Sequence, residues 1–170
     1  SRRQRQMCIR DSYEIARLDG MDIKKQDFFN ILNDIEISPK VTREDTHRIK
    51  DLSNAFLYLV KCAQQRKRLS LDFVREVSAK VMQHTGKEVY TTIGGYDTSL
   101  GDFQLGEEYY EEGVLANYAQ IPDMLEQLCK ETNEKLGNVH DILTVKLAAD
   151  FHYRFMHIKP FGAGNITCLL

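Results

Sequence analysis

Apolar side chains return every three or four positions along most of this chain, the rhythm of helices that bury one face. Met7, Ile9, Ile15 and Leu18, set among charges, predict a first helix over residues 4–18, closed by Gly20. Ile23, Phe28, Ile31 and Leu32 predict a second over residues 22–34, ended by the breaker Ser38-Pro39. Thr42 followed by Asp45 has the spacing of a capping box. It opens the clearest run, in which Ile49, Leu52, Phe56, Leu59, Val60 and Ala63 repeat at helical spacing, and that helix should cross the core. Ser70 caps a fourth helix with Leu71, Val74, Val77 and Val81 inward and Gly86 just beyond its end.

The rhythm is lost over residues 88–118. That stretch holds Gly94, Gly95, Gly101, Gly106 and Gly113 and five of the eight tyrosines, a composition that predicts a long loop carrying a β-hairpin, with the acidic segment of Glu107, Glu108, Glu111 and Glu112 near its tip. Helix resumes at Pro122, with Ile121, Leu125, Leu128, Cys129 and Leu136 buried and Gly137 as the stop. Asn138 and Asp141 then start the last long helix. Its series Val139, Leu143, Leu147, Phe151 and Phe155, joined by Ile142, Val145 and Ala148, predicts burial on nearly all sides. This helix delivers Lys159-Pro160-Phe161-Gly162-Ala163-Gly164-Asn165, after which Ile166 begins another helix. The expected fold class is all-α with one β-hairpin, without internal repeats.

Composition narrows the function. An apolar fraction of 42% over 170 residues supports one ordinary core, and a formal net charge of −2 leaves no global basic field, so nucleic-acid binding is not expected. Arg2, Arg3, Arg5 and Arg10 are a local excess best read as a solvated first helix. Cys8, Cys62, Cys129 and Cys168 are widely spaced and read as reduced cytoplasmic thiols; no apolar run approaches the roughly 20 residues that span a bilayer, so no membrane partner is expected. His152 and His157 are five apart, which denies them the i, i+4 zinc spacing. No Gly-x-Ser-x-Gly, Walker or dinucleotide pattern occurs. What remains is the glycine turn. Its backbone N–H groups can converge on an anion, most often a phosphate, although such turns between helices are more often structural.

The segment Phe151-His152-Tyr153-Arg154-Phe155-Met156-His157-Ile158 with the turn that follows it closely resembles the signature of Fic (Fic/Doc, or Fido) domains, His-x-Phe-x-Asp/Glu-Ala/Gly-Asn-Gly/Lys-Arg-x-x-Arg. Gly101-Asp102-Phe103-Gln104 is similar to the start of the family's Gly-x-Phe/Tyr-Arg flap, and Ile121-Pro122-Asp123-Met124 to the segment joining flap and helix. Leu18-Asp19-Gly20 stands where many members carry Ile-Glu-Gly in an inhibitory helix. The resemblance implies a Fic-type helical bundle over residues 41–170, preceded by N-terminal helices over residues 1–40. It also implies transfer of AMP from ATP to a Ser, Thr or Tyr hydroxyl of a protein, in signalling or regulation. In the family the motif His takes the hydroxyl proton, the acidic residue holds Mg2+, and the turn with Asn and Arg holds the phosphates. The flap aligns the target peptide, and the inhibitory Glu pairs with the second motif Arg. Carried over, this assigns nucleotide binding to Phe161, Gly162, Gly164 and Asn165, target binding to Phe103, Gln104 and Leu105, inhibition to Asp19 and Gly20, and the catalytic position to Lys159. The implied co-substrate is ATP, with Mg2+ if active. The implied partners are a hydroxyl-bearing protein and a second copy in a homodimer.

This chain departs from the pattern at its reactive positions. Lys159 replaces the base; a lysine is almost wholly protonated at neutral pH, a poor proton acceptor but a sound phosphate partner. Ala163 replaces the acidic metal ligand, so the metal position holds none, and Gln104 replaces the flap Arg. Asp19 is one methylene shorter than Glu, and Ile15 lacks the hydroxyl often found four residues earlier. The Gly-Arg expected after Asn165 is missing; restoring two residues brings Leu169-Leu170 into register and puts Cys168 in the second arginine's place. Two functions are therefore expected from one fold: an adenylyltransferase, or a catalytically inactive module that binds nucleotide or peptide.

Overall fold

A computed structural model describes residues 2–106, 118–137, 141–165 and 168. Six helices follow in order, α1 (Arg2–Leu18), α2 (Lys25–Leu32), α3 (Arg43–Gln64), α4 (Leu71–Val81), α5 (Ile121–Leu136) and α6 (Asp141–Ile158). Strands β1 (Glu88–Thr91) and β2 (Gly94–Asp97) lie between α4 and α5. The expected class, a helical bundle with one hairpin, is the observed one.

Local capping chemistry sets several boundaries. The Thr42 hydroxyl accepts from Asp45 N at 3.0 Å while the Asp45 carboxylate accepts from Thr42 N, so two of the free donors at the start of α3 are satisfied reciprocally. Thr42→Ala should cost about 1 kcal/mol, a fall in melting temperature of about 3 °C on thermal denaturation. Ser70 accepts from Phe73 N at 3.1 Å at the start of α4, and Pro122 sits in the first turn of α5, where its missing N–H goes unnoticed.

Two apolar clusters flank α3 and α4. In one, Ile15, Ala16, Met21 and Ile23 pack with Phe28 and Ile31 of α2 against Ile49 and Leu52 of α3. In the other, Val74 meets Ile121, Leu125, Leu128 and Cys129 of α5, Phe155 and Ile158 of α6, and Phe161. Cys62, Phe73 and Val77 join α3 to α4. Asn133 fastens α5 to the chain before α4, accepting from Leu69 N at 3.0 Å and donating to Leu69 O at 2.8 Å.

Two expectations need correction. The last helix is not buried on nearly all sides: Leu143 is 55% and Val145 73% exposed, and Ala148 is exposed too. Its C-terminal half, through Phe155 and Ile158, makes the packing, while over residues 143–149 only Leu147 is buried. The described hairpin pairs Glu88 with Asp97 through Thr91 with Gly94, which places its turn at Thr92 and Ile93 and not at the acidic segment. Residues 107–112, and the start signal at Asn138, lie outside the described residues. A lone hairpin is marginal in water. This one is held at its base by Thr98, whose hydroxyl accepts from Lys87 N at 2.8 Å and donates to Lys87 O at 3.1 Å.

Candidate functional site

The turn after α6 is built around a buried ring. Phe161 is 1% exposed, with Phe103 at 5.7 Å and Phe155 at 6.3 Å between ring centroids. Asn165 closes the turn on its backbone: its side-chain oxygen accepts from Phe161 N at 3.0 Å and its amide donates to Phe161 O at 2.6 Å. Cys168 N donates to Gly164 O at 2.9 Å, the i to i−4 bond of a helix beginning there. Phe161 and Asn165 are thus spent on shaping the loop. Lys159, exposed, has φ of 47° in the left-handed region, which Asn, Asp and His visit more readily than other non-glycine residues.

Glycine is required where the turn meets its neighbours. A Cβ on Gly162 would stand 2.5 Å from the Tyr96 hydroxyl, so β2 lies directly against the turn. Gly164 has φ of 75°, and a Cβ there would stand 3.0 Å from Met82 Sδ. Between these contacts lies a cavity of about 380 Å3, within the range of small-ligand sites. Gly162, Ala163 and Gly164 form one wall, Tyr96 and Val89 of the hairpin another. Glu44, Arg48 and Leu52, four apart on α3, give it a helical face, and Ala16, Asp19 and Met21 close it from the end of α1. Lys87 and Thr85 come from the loop after α4. Arg48 Nη2 donates to Asp19 O at 3.3 Å and pairs with the Asp19 carboxylate.

The segment before residue 107 docks on the same turn from outside the cavity. Gln104, 9% exposed, donates from its side chain to Lys159 O at 2.6 Å and from its backbone N to Pro160 O at 2.9 Å. Arg75 holds the approach: Nε donates to Gly101 O at 3.0 Å, Nη2 pairs with Asp102 at 3.0 Å, and the guanidinium lies 5.6 Å from the Phe103 ring. Phe103 and Gln104 are therefore brought to the motif, Leu105 lies against Gly94 of β2, and Asp19 is brought to the cavity with Gly162 and Gly164.

Cys168, at the second arginine's expected place, packs as a partly buried side chain beside Val74 and Phe73 clusters. Burial pushes its thiol up to about 12, and burial with nearby Glu126 pushes Cys129 up to about 11, so neither offers a thiolate at neutral pH. Ala163 has no side-chain oxygen to give a metal ion, and among the described residues no group of three or more His, Cys, Asp or Glu is placed to hold one. The residues that sequence reasoning missed are Arg48, Arg75, Tyr96 and Lys87. Arg48 and Lys87 carried no motif; Tyr96 lay in the tyrosine-rich stretch, whose change of texture was the only signal. Among the described residues no helix is long and apolar enough to cross a membrane.

Comparison with known proteins agrees with this geometry. A Fic domain containing signaling protein from Bacteroides thetaiotaomicron has a similar structure, with a TM-score of 0.78 and 20% sequence identity over 99% of this chain and 61% of that one. Fic-1 (residues 134–508) from C. elegans matches with a TM-score of 0.60 and 17% identity over 91% of this chain and 43% of that one. This chain therefore spans about three fifths of the first of these and less than half of the second. No curated protein matches by sequence. The family model for the Fic/DOC family matches residues 68–167. Since that match runs over more than half of the chain and takes in the whole turn beside the cavity, the chain belongs to the Fic/DOC family.

Proposed function

We propose that this chain binds ATP, its polyphosphate lying along residues 162–164 and its remainder in the cavity between the hairpin and α3. The observation that carries this reading is the cavity itself, walled by backbone that has no side chain at Gly162 and Gly164 and lined by Arg48 and Lys87. A glycine turn bordering a cavity that offers an arginine and a lysine suits an anionic ligand, although Asp19 and Glu44 line the same space. Calorimetric titration tests it. Saturable ATP binding is expected, and heat no greater than that of dilution would overturn it. An ATP-dependent role accords with action in the cytoplasm.

Transfer of AMP to a protein hydroxyl is the second reading. It is favoured by Gln104, whose two bonds to Lys159 and Pro160 carbonyls fix the Phe103 segment beside the position where the family base stands. Lys159 is poorly suited to accept a proton, and Ala163 supplies no metal ligand. Restoring both with Lys159→His and Ala163→Asp should raise label transfer from ATP to protein by about 100-fold, the scale of a positioned acid–base group. Histidine also tolerates the left-handed backbone at 159. A double variant that binds ATP yet gains no transfer would count against this account of the lesion.

A further inference from the structure

α3 and the loop after α4 bring two imidazoles together. His47 and Asp51 are one turn apart on α3 and share a face of it. His84 lies over that face: its backbone N donates to Asp51 Oδ2 at 2.8 Å, and its Nδ1 stands 2.6 Å from Asp51 Oδ1. The His84 ring centre is 5.3 Å from that of His47, with the ring planes tilted by 52°. His47 and Asp51 precede the stretch that the family model matches, so the pairing is no part of that match.

The hydrogen bonds decide which nitrogens are free. A carboxylate offers acceptors only, so the proton between Asp51 and His84 belongs to Nδ1, and Nε2 of the neutral ring keeps its lone pair. Among the described residues neither that Nε2 nor either ring nitrogen of His47 has a hydrogen-bond partner. A carboxylate behind one imidazole nitrogen, with the other nitrogen bare, is the support that metal-binding histidines receive: it fixes the tautomer, orients the ring and raises its basicity. Asp51 gives this support from a fully buried position, while the His84 side chain is 52% exposed and reachable from solvent. The separation of the rings fits as well. Two imidazoles that share a tetrahedral zinc ion through nitrogens about 2 Å from it have ring centres about 5 Å apart.

We propose that His47 and His84 form a two-imidazole site for a divalent transition-metal ion of the zinc class, with the buried Asp51 holding His84 in its metal-accepting tautomer. Imidazole suits Zn2+, whereas Mg2+ prefers oxygen donors. The described residues supply no cluster of three or more His, Cys, Asp or Glu ligands, so water completes the coordination and the ion exchanges with a chelator. An ion bound there ties α3 to the loop that carries Thr85 and Lys87 to the cavity. The proposal is independent of the reading of that cavity as an ATP site.

Zn2+ is titrated calorimetrically into the chelator-treated chain, and into His47→Ala, His84→Ala, Asp51→Asn and His157→Ala, with a melting curve for each variant and no nucleotide present. The wild-type chain should bind one Zn2+ saturably, melt at a higher temperature with the ion, and ignore Mg2+. His47→Ala and His84→Ala should each weaken binding by more than about tenfold, and Asp51→Asn by about tenfold through the ring it orients. His157→Ala should bind as the wild type does. In proton spectra the Cε1–H signals of His47 and His84 should shift on adding Zn2+, and that of His157 should not. A staple with no metal role would let His47→Ala pass unnoticed in every one of these readings. His47 makes no hydrogen bond among the described residues, so its alanine variant keeps the test open should His84→Ala fail to fold. No saturable Zn2+ binding by the wild-type chain overturns the proposal, as does binding that survives His47→Ala unchanged, which marks an adventitious ion held elsewhere. Unchanged affinity in Asp51→Asn overturns the part assigned to the carboxylate.

Discussion

Phe161→Ala should cost about 4 kcal/mol of stability and abolish ATP binding, the largest effect expected of any single substitution in the turn. The ring is 1% exposed and is sandwiched by rings from two sources, Phe155 of the helix before it and Phe103 of the segment before residue 107. Its loss leaves a void that neither neighbour can fill without giving up its own packing in the cluster with Leu125 and Leu128. The damage spreads along the backbone. Asn165 grips the Phe161 N and O, and Gln104 grips the Pro160 O one residue before, so a displaced ring moves the carbonyls on which both side chains depend. For a chain of this length about 4 kcal/mol lowers the melting temperature by roughly 10 °C. Phe161→Leu, which refills most of the volume, should lose about a third as much. A loss below about 1 kcal/mol for the alanine variant in urea denaturation would mean that the ring is not a packed part of the core.

The sequence announced this ring for a different reason than the one the structure gives. A phenylalanine in a Pro-Phe-Gly-Ala-Gly-Asn turn reads as part of a nucleotide loop, whereas its burial between two aromatic residues depends on Phe103, far earlier in the chain. What was legible is what obeys local rules. Thr42 with Asp45, Ser70 and Pro122 each mark a helix start because capping is settled within four residues. The glycine turn was legible because Gly162 and Gly164 have few reasons to be there together. The cavity was not, since its walls come from α1, α3, the loop after α4 and the hairpin, and no short-range pattern says that Tyr96 will lie on Gly162 or that Arg48 will reach Asp19. The misreading of α6 has the same origin. Apolar residues at Leu143 and Val145 extend a periodic stripe, but periodicity records which side a residue is on and not whether a neighbour covers that side.

The second large effect is expected at a residue with no place in any motif. Asp51→Ala should cost about 3 kcal/mol, because the Asp51 side chain is fully buried and both its oxygens are used by a single residue. Oδ2 accepts from His84 N at 2.8 Å and Oδ1 from His84 Nδ1 at 2.6 Å, so α3 holds the backbone and the ring of the loop after α4 together. Removing the carboxylate takes from the His84 backbone N–H the acceptor that the buried side chain supplied. His84→Ala should cost far less, about 1 kcal/mol, since its side chain is 52% exposed and the backbone N–H would keep Asp51 as its acceptor. Asp51→Asn, which preserves shape and one acceptor, should fall between the two. The functional consequence follows from position. His84 is followed by Thr85 and, two residues further, by Lys87, and both line the cavity, while Lys87 is also the residue that Thr98 uses to anchor the hairpin carrying Tyr96. An alanine at 51 therefore loosens two cavity walls at once, and ATP affinity should fall together with the melting temperature, whereas His84→Ala should leave affinity nearly unchanged. Equal loss of affinity in the two variants would show that the imidazole, and not the carboxylate beneath it, sets the cavity wall.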